Sequence, residues 1–407
     1  MPSLSSLPSI PALPALLAGL GPALSAVLLV VIAVVSVSVL TGQLPALGGN
    51  DGQGGPVKTA TPSNVVVVDP RADVLGTLVY VKSGNLWLQS GATARQLTTG
   101  GNDSQPTWSA DGQWLYFVRT TPLRANFPFE GVQRPYDLAV PAVMRMHPDG
   151  TGLVTLFSGK VTLGGSTWSS FIRQPFPNPT DSKVALITDA PNPTTSDLVL
   201  KILDLATGGL TNPKIPEIPP LGHQDPAWSP DGASILFVQD ARTGPRGTPV
   251  IQRYDLATKR VRSLTGPGYV SPAWSPDGRY VAATKTGSFG TDVVILDARS
   301  GAELLRVTSD DLSFGPVWSP AGDAIALFRV DHGVVDLELV SLKGSAPSWT
   351  LGDTLQLTIA AGLDAASRAS WFIPPGDLPT PAPSTPAPSV AFPTLHAPTG
   401  APGSAAP

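Results

Sequence analysis

Side chains able to do acid–base or metal chemistry are few in this 407-residue chain, and they are scattered. There is no cysteine, which excludes disulfides, thiolate metal sites and a cysteine nucleophile. Of the four histidines, His147 and His396 read as solvated. His223 with Asp225, and His332 with Asp331, set an imidazole beside a carboxylate, the residue types of a metal ligand pair or an acid–base couple. Asp103 offers a further carboxylate in a similar polar stretch, Gly101-Asn102-Asp103-Ser104-Gln105. Each stretch supplies at most one histidine, and no ligand spacing recurs. No G-x-S-x-G, H-E-x-x-H, phosphate-binding loop or EF-hand spelling is present. The expectation is no catalytic set, no metal set and no cofactor. The net charge of −4, with no basic block, argues against a nucleic-acid partner.

Recognition chemistry is better represented. The insertion 120–141 carries Arg124, Phe127, Phe129, Arg134 and Tyr136, the aromatic-plus-arginine character of interface anchors. The alternative is a loop that packs those aromatics on its own domain.

The elements that must position these residues follow from a repeat. PAWSPDG occurs at 226–232 and 272–278, with near-copies at 106–112 (PTWSADG) and 316–322 (PVWSPAG). Tryptophans at Trp108, Trp168, Trp228, Trp274, Trp318 and Trp371 are spaced by 60, 60, 46, 44 and 53 residues. A period of ~40–50 residues suggests a propeller or solenoid. Within 272–308 the chain reads as four short strands with a Ser275-Pro276-Asp277-Gly278 turn, one antiparallel blade. The Trp reads as the apolar plug between blades. Asp111-Gly112, Asp231-Gly232 and Asp277-Gly278 read as turn residues, against the alternative of a ring of Asp metal ligands.

This spelling, followed by apolar strands and then "LT" (Leu97-Thr98, Leu264-Thr265), resembles the TolB-type propeller repeat over roughly 75–376. Trp168 and Trp371 mark degenerate copies, and Ala110 and Ala321 depart from the pattern within the turn. Three strands open the domain and a lone inner strand at Trp371 ends it. The fold expected is an all-β, six-bladed TolB-like propeller over 73–376 with one-plus-three strand closure, which leaves no free sheet edge at the ring junction. The resemblance implies a non-catalytic adaptor.

Residues 1–15 are polar and Pro-rich, and the first charged side chain is Asp51. Residues 22–40 are uncharged and apolar, long enough for a membrane helix over 16–41 at ~1.5 Å per residue. A cleaved signal is the rival, although a basic n-region and a clean cleavage site are missing. Residues 42–72 read as a flexible linker and 377–407 as a Pro/Ala/Ser/Thr-rich disordered tail. The expected location is single-pass in the cell membrane with the propeller extracytoplasmic and monomeric.

Blade topology places the SPDG turns on one face, and the longer second-to-third-strand loops and inter-blade links on the other. The long-loop face is the expected binding face. It gathers Asp103, His223, Asp225, Tyr269, Phe314 and the insertion, for a protein or peptide partner. Two alternatives remain: an envelope sensor for a small ligand or carbohydrate, and a hydrolase or lyase using the central channel.

Overall fold

The computed structural model describes residues 74–215, 222–241 and 248–379, with the backbone of Val65–Val67. The N-terminal segment 1–15, the expected membrane helix 16–41, most of the linker and the tail beyond residue 379 lie outside the described residues. Among the described residues, no helix is long and apolar enough to cross a membrane.

Short runs of β-branched and aromatic residues between Gly-, Asp- and Pro-rich turns form six antiparallel sheets arranged as blades. Blades two to six each have four strands. The second is Asp103–Trp108, Leu115–Phe129, Val132–Met146 and Val154–Ser158; the third is Ile172–Pro177, Lys183–Thr188, Val199–Asp204 and Leu210–Thr211. The fourth spans His223–Trp228 to Arg260–Ser263, the fifth Tyr269–Trp274 to Glu303–Arg306, and the sixth Ser313–Trp318 to Thr350–Gln356. The first blade holds Thr77–Lys82, Asn85–Ser90 and Thr93–Gln96, and its inner strand is the C-terminal Ser370–Phe372, paired Leu78↔Trp371. This is the one-plus-three closure. Val65–Val67, inside the span read as linker, adds a fifth strand outside Thr93–Gln96.

The second strand of each blade is an unbroken apolar run because both its faces are covered by neighbouring blades. Ile235, Leu236, Phe237 and Val238 are all fully buried. The repeated tryptophans sit in these seams. Trp228 packs with Ala185, Ile187 and Leu200 of the third blade and with Ile235 and Phe237 of its own. Trp108 and Trp318 are buried in the same way, while Trp274 and Trp371 are half-buried and donate to Ala227 O at 3.1 Å and Leu75 O at 2.8 Å.

Trp168 departs from this role. It lies in a separate hairpin, Lys160–Leu163 with Ser166–Ser169, inserted between the second blade's outer strand and the third blade's inner strand. The register Pro177↔Val184 matches Trp228↔Ile235, so Pro177 stands where the other blades carry Trp. The third copy of the motif is therefore 175–181, Pro-Phe-Pro-Asn-Pro-Thr-Asp.

The turn residues have structural partners. Asp111, Asp231 and Asp277 each accept from the preceding Ser hydroxyl (2.5–2.7 Å) and from the backbone amide two residues on (3.0 Å). Gly112, Gly232 and Gly278 take φ near +70°, which glycine reaches without steric cost. In the third blade Asn178 does both jobs. Its Oδ1 accepts from Ser182 N and Lys183 N, and its Nδ2 donates to Thr180 Oγ1.

Candidate functional site

The inner strands that surround the axis share a defect. In blades two to six the pairing with the second strand slips around one residue: Gln105, Gln174, Asp225, Ser271 and Gly315. All five have φ between +51° and +59° and precede a proline. For non-glycine residues this backbone is strained by roughly 1–3 kcal/mol, and it persists only where the surroundings impose it. Here the surroundings are the neighbouring blades. Gln105 Oε1 accepts from Gln174 N at 2.7 Å. Gln174 Oε1 accepts from Asp225 N at 2.7 Å, and Gln174 Nε2 donates to Asp225 Oδ1. Asp225 Oδ2 accepts from Ser271 N at 2.8 Å and Ser271 Oγ at 3.1 Å. Ser367 Oγ, from the closing segment, accepts from Gln105 N at 3.1 Å. The sixth blade offers only Gly315, and Arg368 spans that gap by donating to Pro272 O at 2.8 Å. The result is a hydrogen-bonded belt around the axis.

Three of the expected partner-binding residues are buried. Asp225 is 6% exposed and both its oxygens are engaged. Asp103 is 1% exposed and forms a bidentate pair with Arg119 at 2.6 and 2.8 Å. His223 is buried against Phe237, and its Nδ1 accepts from Leu200 N at 3.0 Å. Burial lowers its pKa to about 4, against a smaller opposing pull from Asp197. Phe314 packs on Phe328 at 5.6 Å within the seam that joins the sixth and first blades. Tyr269 stays half-exposed beneath the Lys285 ammonium, which is paired with Glu303 at 2.6 Å. Asp331 and His332 are exposed, with His332 Nδ1 2.7 Å from Asp331 Oδ1. His147, expected to be solvated, stacks on Trp114 at 3.9 Å. Among the described residues no group of three His, Asp or Glu side chains is placed to hold a metal.

The insertion 120–141 is a β-ribbon where a loop was expected. Leu115–Phe129 and Val132–Met146 pair without interruption from Leu115↔Met146 to Phe129↔Val132. The two-residue turn, Glu130 (φ 51°) and Gly131 (φ 77°), has the positive angles that match strand twist. The blade's inner strand stops at Asp103↔Arg119 and its outer strand at Ala142↔Ser158, so the ribbon continues beyond both.

Parity sorts the ribbon's residues. Thr120 N donates outward to Asn102 O, and Pro141 O accepts from Gly159 N, so the Thr120↔Pro141 pair points its backbone groups away from the ladder. Pro122, Pro128 and Pro135 fall in pairs of the same parity. All four prolines thus stand where an outward N–H would otherwise invite an added strand. The opposite parity puts Leu123, Phe127, Phe129, Val132, Arg134, Tyr136 and Leu138 on one face. The inserted hairpin covers part of that face. Phe127 meets Trp168 edge-on at 5.2 Å, Tyr136 donates to Thr167 O, and Ser169 Oγ donates to Ala139 O at 2.8 Å. At the tip Phe129 is 48% and Val132 60% exposed, with the Arg134 guanidinium 4.9 Å from the Phe129 ring. A depression of about 380 Å³ opens between Phe127, Phe129, Arg134, Pro135 and Tyr136. Arg124 is on the other face, in an exposed pair with Asp137 at 3.0 Å.

No family model and no curated protein matches the chain. Among solved structures, TolB from Acinetobacter baumannii superposes with a TM-score of 0.53 at 17% identity, over 73% of this chain and 66% of that one. The fold is a TolB-like six-bladed propeller. The chain spans 66% of the length of that TolB. A chain of a nidogen/laminin complex matches with a TM-score of 0.51 at 9% identity, over 73% of this chain and 98% of its own. An oligogalacturonate lyase in complex with manganese gives 0.42 at 15% identity, over 64% and 83%.

On this TolB-like propeller the candidate residues divide in two. The axial set is closed on itself by hydrogen bonds. The ribbon tip presents an aromatic, an aliphatic and a guanidinium group to solvent, a combination able to bury apolar surface and donate hydrogen bonds at once.

Proposed function

We propose that the chain is a membrane-tethered, extracytoplasmic scaffold that binds a protein or peptide partner through the end of its ribbon. The uncharged segment 22–40 would be the tether, and the propeller would act as a single copy. The observation that carries this reading is the ribbon tip, where Phe129 and Val132 stand exposed beside Arg134. Exposed aromatic and arginine side chains are the residue types that dominate binding energy at interfaces. Proline-blunted edges favour recognition through the side-chain face over strand addition. A propeller within a nidogen/laminin complex supports the class of function. The scaffold reading is preferred to a small-ligand or carbohydrate sensor, and to a channel hydrolase or lyase, because the axial carboxylate Asp225 is held by the belt.

The test is affinity capture from solubilised membranes with the full chain, with Phe129→Ala/Arg134→Ala, and with a variant lacking 124–136. A protein retained by the full chain and lost from both variants supports the scaffold. A protein retained equally by all three removes the ribbon from the interface.

A further inference from the structure

In four blades a backbone amide near the start of the third strand donates to a threonine hydroxyl. The pairs are Leu86 N to Thr98 at 3.0 Å, Ile251 N to Thr265 at 3.1 Å, Val293 N to Thr308 at 2.9 Å and Leu337 N to Thr358 at 2.8 Å. In the third blade, among the described residues, no threonine hydroxyl takes that place. The corresponding amide, Leu200 N, donates to His223 Nδ1 at 3.0 Å instead. His223 opens the inner strand of the fourth blade, so this bond crosses the seam between two blades. A second bond, His223 N to Leu198 O at 2.8 Å, fixes the same crossing. Because Nδ1 accepts, the ring proton is on Nε2, which is buried and meets no hydrogen-bond partner among the described residues.

A hydroxyl oxygen accepts at any pH in the physiological range. An imidazole nitrogen accepts only while it is unprotonated. We propose that His223 makes the seam between the third and fourth blades an acid-released joint: protonation of Nδ1 removes the acceptor for Leu200 N and opens the start of the fourth inner strand. The groups around the ring favour release over accommodation. Phe237, from the fourth blade's second strand, lies 4.8 Å away and offers no counter-charge. Asp197, from the loop before the third blade's third strand, pulls the ring's pKa upward, but desolvation outweighs it. Lys201, next to Leu200, donates to Ala190 O. Asp225, two residues along, is occupied in the belt.

The direction follows from linkage. The closed ring resists protonation down to about 4, whereas an opened imidazole protonates below about 6.5. Opening is therefore favoured as pH falls below 6.5, by about 20-fold between pH 7 and pH 5. Release would also loosen Asp225, and with it the contact between the third and fifth blades through the belt.

The test is hydrogen exchange on the full chain at pH 7 and pH 5, each corrected for intrinsic exchange chemistry. The expected result is a loss of protection of about 20-fold at Leu200 and at 222–226, with the amides of Leu86, Ile251, Val293 and Leu337 unchanged. His223→Gln keeps an acceptor that does not titrate, and should abolish the difference. Should that variant fail to fold, an NMR titration of the wild-type imidazole decides: the joint requires His223 to protonate together with loss of Leu200 protection. A His223 that titrates near 6.5 while Leu200 stays protected overturns the proposal. So does an equal pH response at the four threonine-capped amides.

Discussion

Asp231 receives two hydrogen bonds inside its own turn, from Ser229 Oγ at 2.5 Å and Ala233 N at 3.0 Å, and these hold its carboxyl below the usual range. Asp231→Ala should cost about 1 kcal/mol, by analogy with the loss of a side-chain cap. A carboxyl depressed by folding stabilises above its unfolded value of about 3.9 and loses that contribution as pH falls further. The gap between wild type and variant in urea midpoint should therefore narrow in acid. The sixth blade carries Ala321 at this position, and Ser319 Oγ accepts from Ala321 N at 3.2 Å instead. Ala321→Asp should raise the midpoint, by about 0.5–1 kcal/mol of stability. The tryptophans give a sharper contrast. Trp228→Ala empties a seam and should cost ~3–5 kcal/mol. Trp168→Ala strips only the support beneath the ribbon and should leave the propeller's thermal midpoint within a few degrees of wild type. Equal losses from the two variants would mean that Trp168 belongs to the ring after all.

At the scale of elements, the ribbon shows what could be read in the sequence and what could not. The candidate anchors Arg124, Phe129 and Arg134, which stand exposed, were legible from residue type. Its conformation was not, because four prolines within 120–141 read as loop punctuation. Their common parity becomes visible only once the register is known. The same fact yields a prediction. Pro122→Thr with Pro135→Thr restores one outward N–H on each edge, and the doubly substituted chain should self-associate with rising concentration in light scattering. A strictly monomeric double variant would show that the prolines are not what guards these edges. Phe127 and Tyr136 illustrate the opposite limit. Sequence grouped them with the exposed anchors, but the inserted hairpin, whose docking depends on contacts distant in sequence, partly covers them.

At the scale of the whole molecule, six blades were legible because the Trp and SPDG spellings recur wherever the same seam recurs. The third blade was misplaced by a nearby tryptophan, since Pro177 and Asn178 replace the spelling while keeping the geometry. The belt was hidden differently. Gln105, Gln174, Asp225, Ser271 and Gly315 share a position but not a residue type, and alignment on the following proline is needed to see them as one set. Ring closure depends on the segment 367–372, whose strand Ser370–Phe372 supplies the first blade's inner pairing, with Ser367 in the belt and Ser370 Oγ accepting from Trp108 N at 3.1 Å. Removing 366–379 should abolish the cooperative thermal transition seen by circular dichroism. A deleted chain that still melts in one sharp step would mean that five blades and a remnant are self-sufficient.

The bond between Ser367 and Gln105 joins residues 262 positions apart. A ribosome adding about 5–20 residues per second needs roughly 13–50 s to bring the second partner into being after the first. Throughout that interval the second blade has one seam without its final neighbour, and Trp108 lacks the Phe372 ring that later lies 5.5 Å away. The nascent chain is thus an open arc with a sticky flank for most of its synthesis. Its safe passage rests on whatever shields that flank until the last strand arrives.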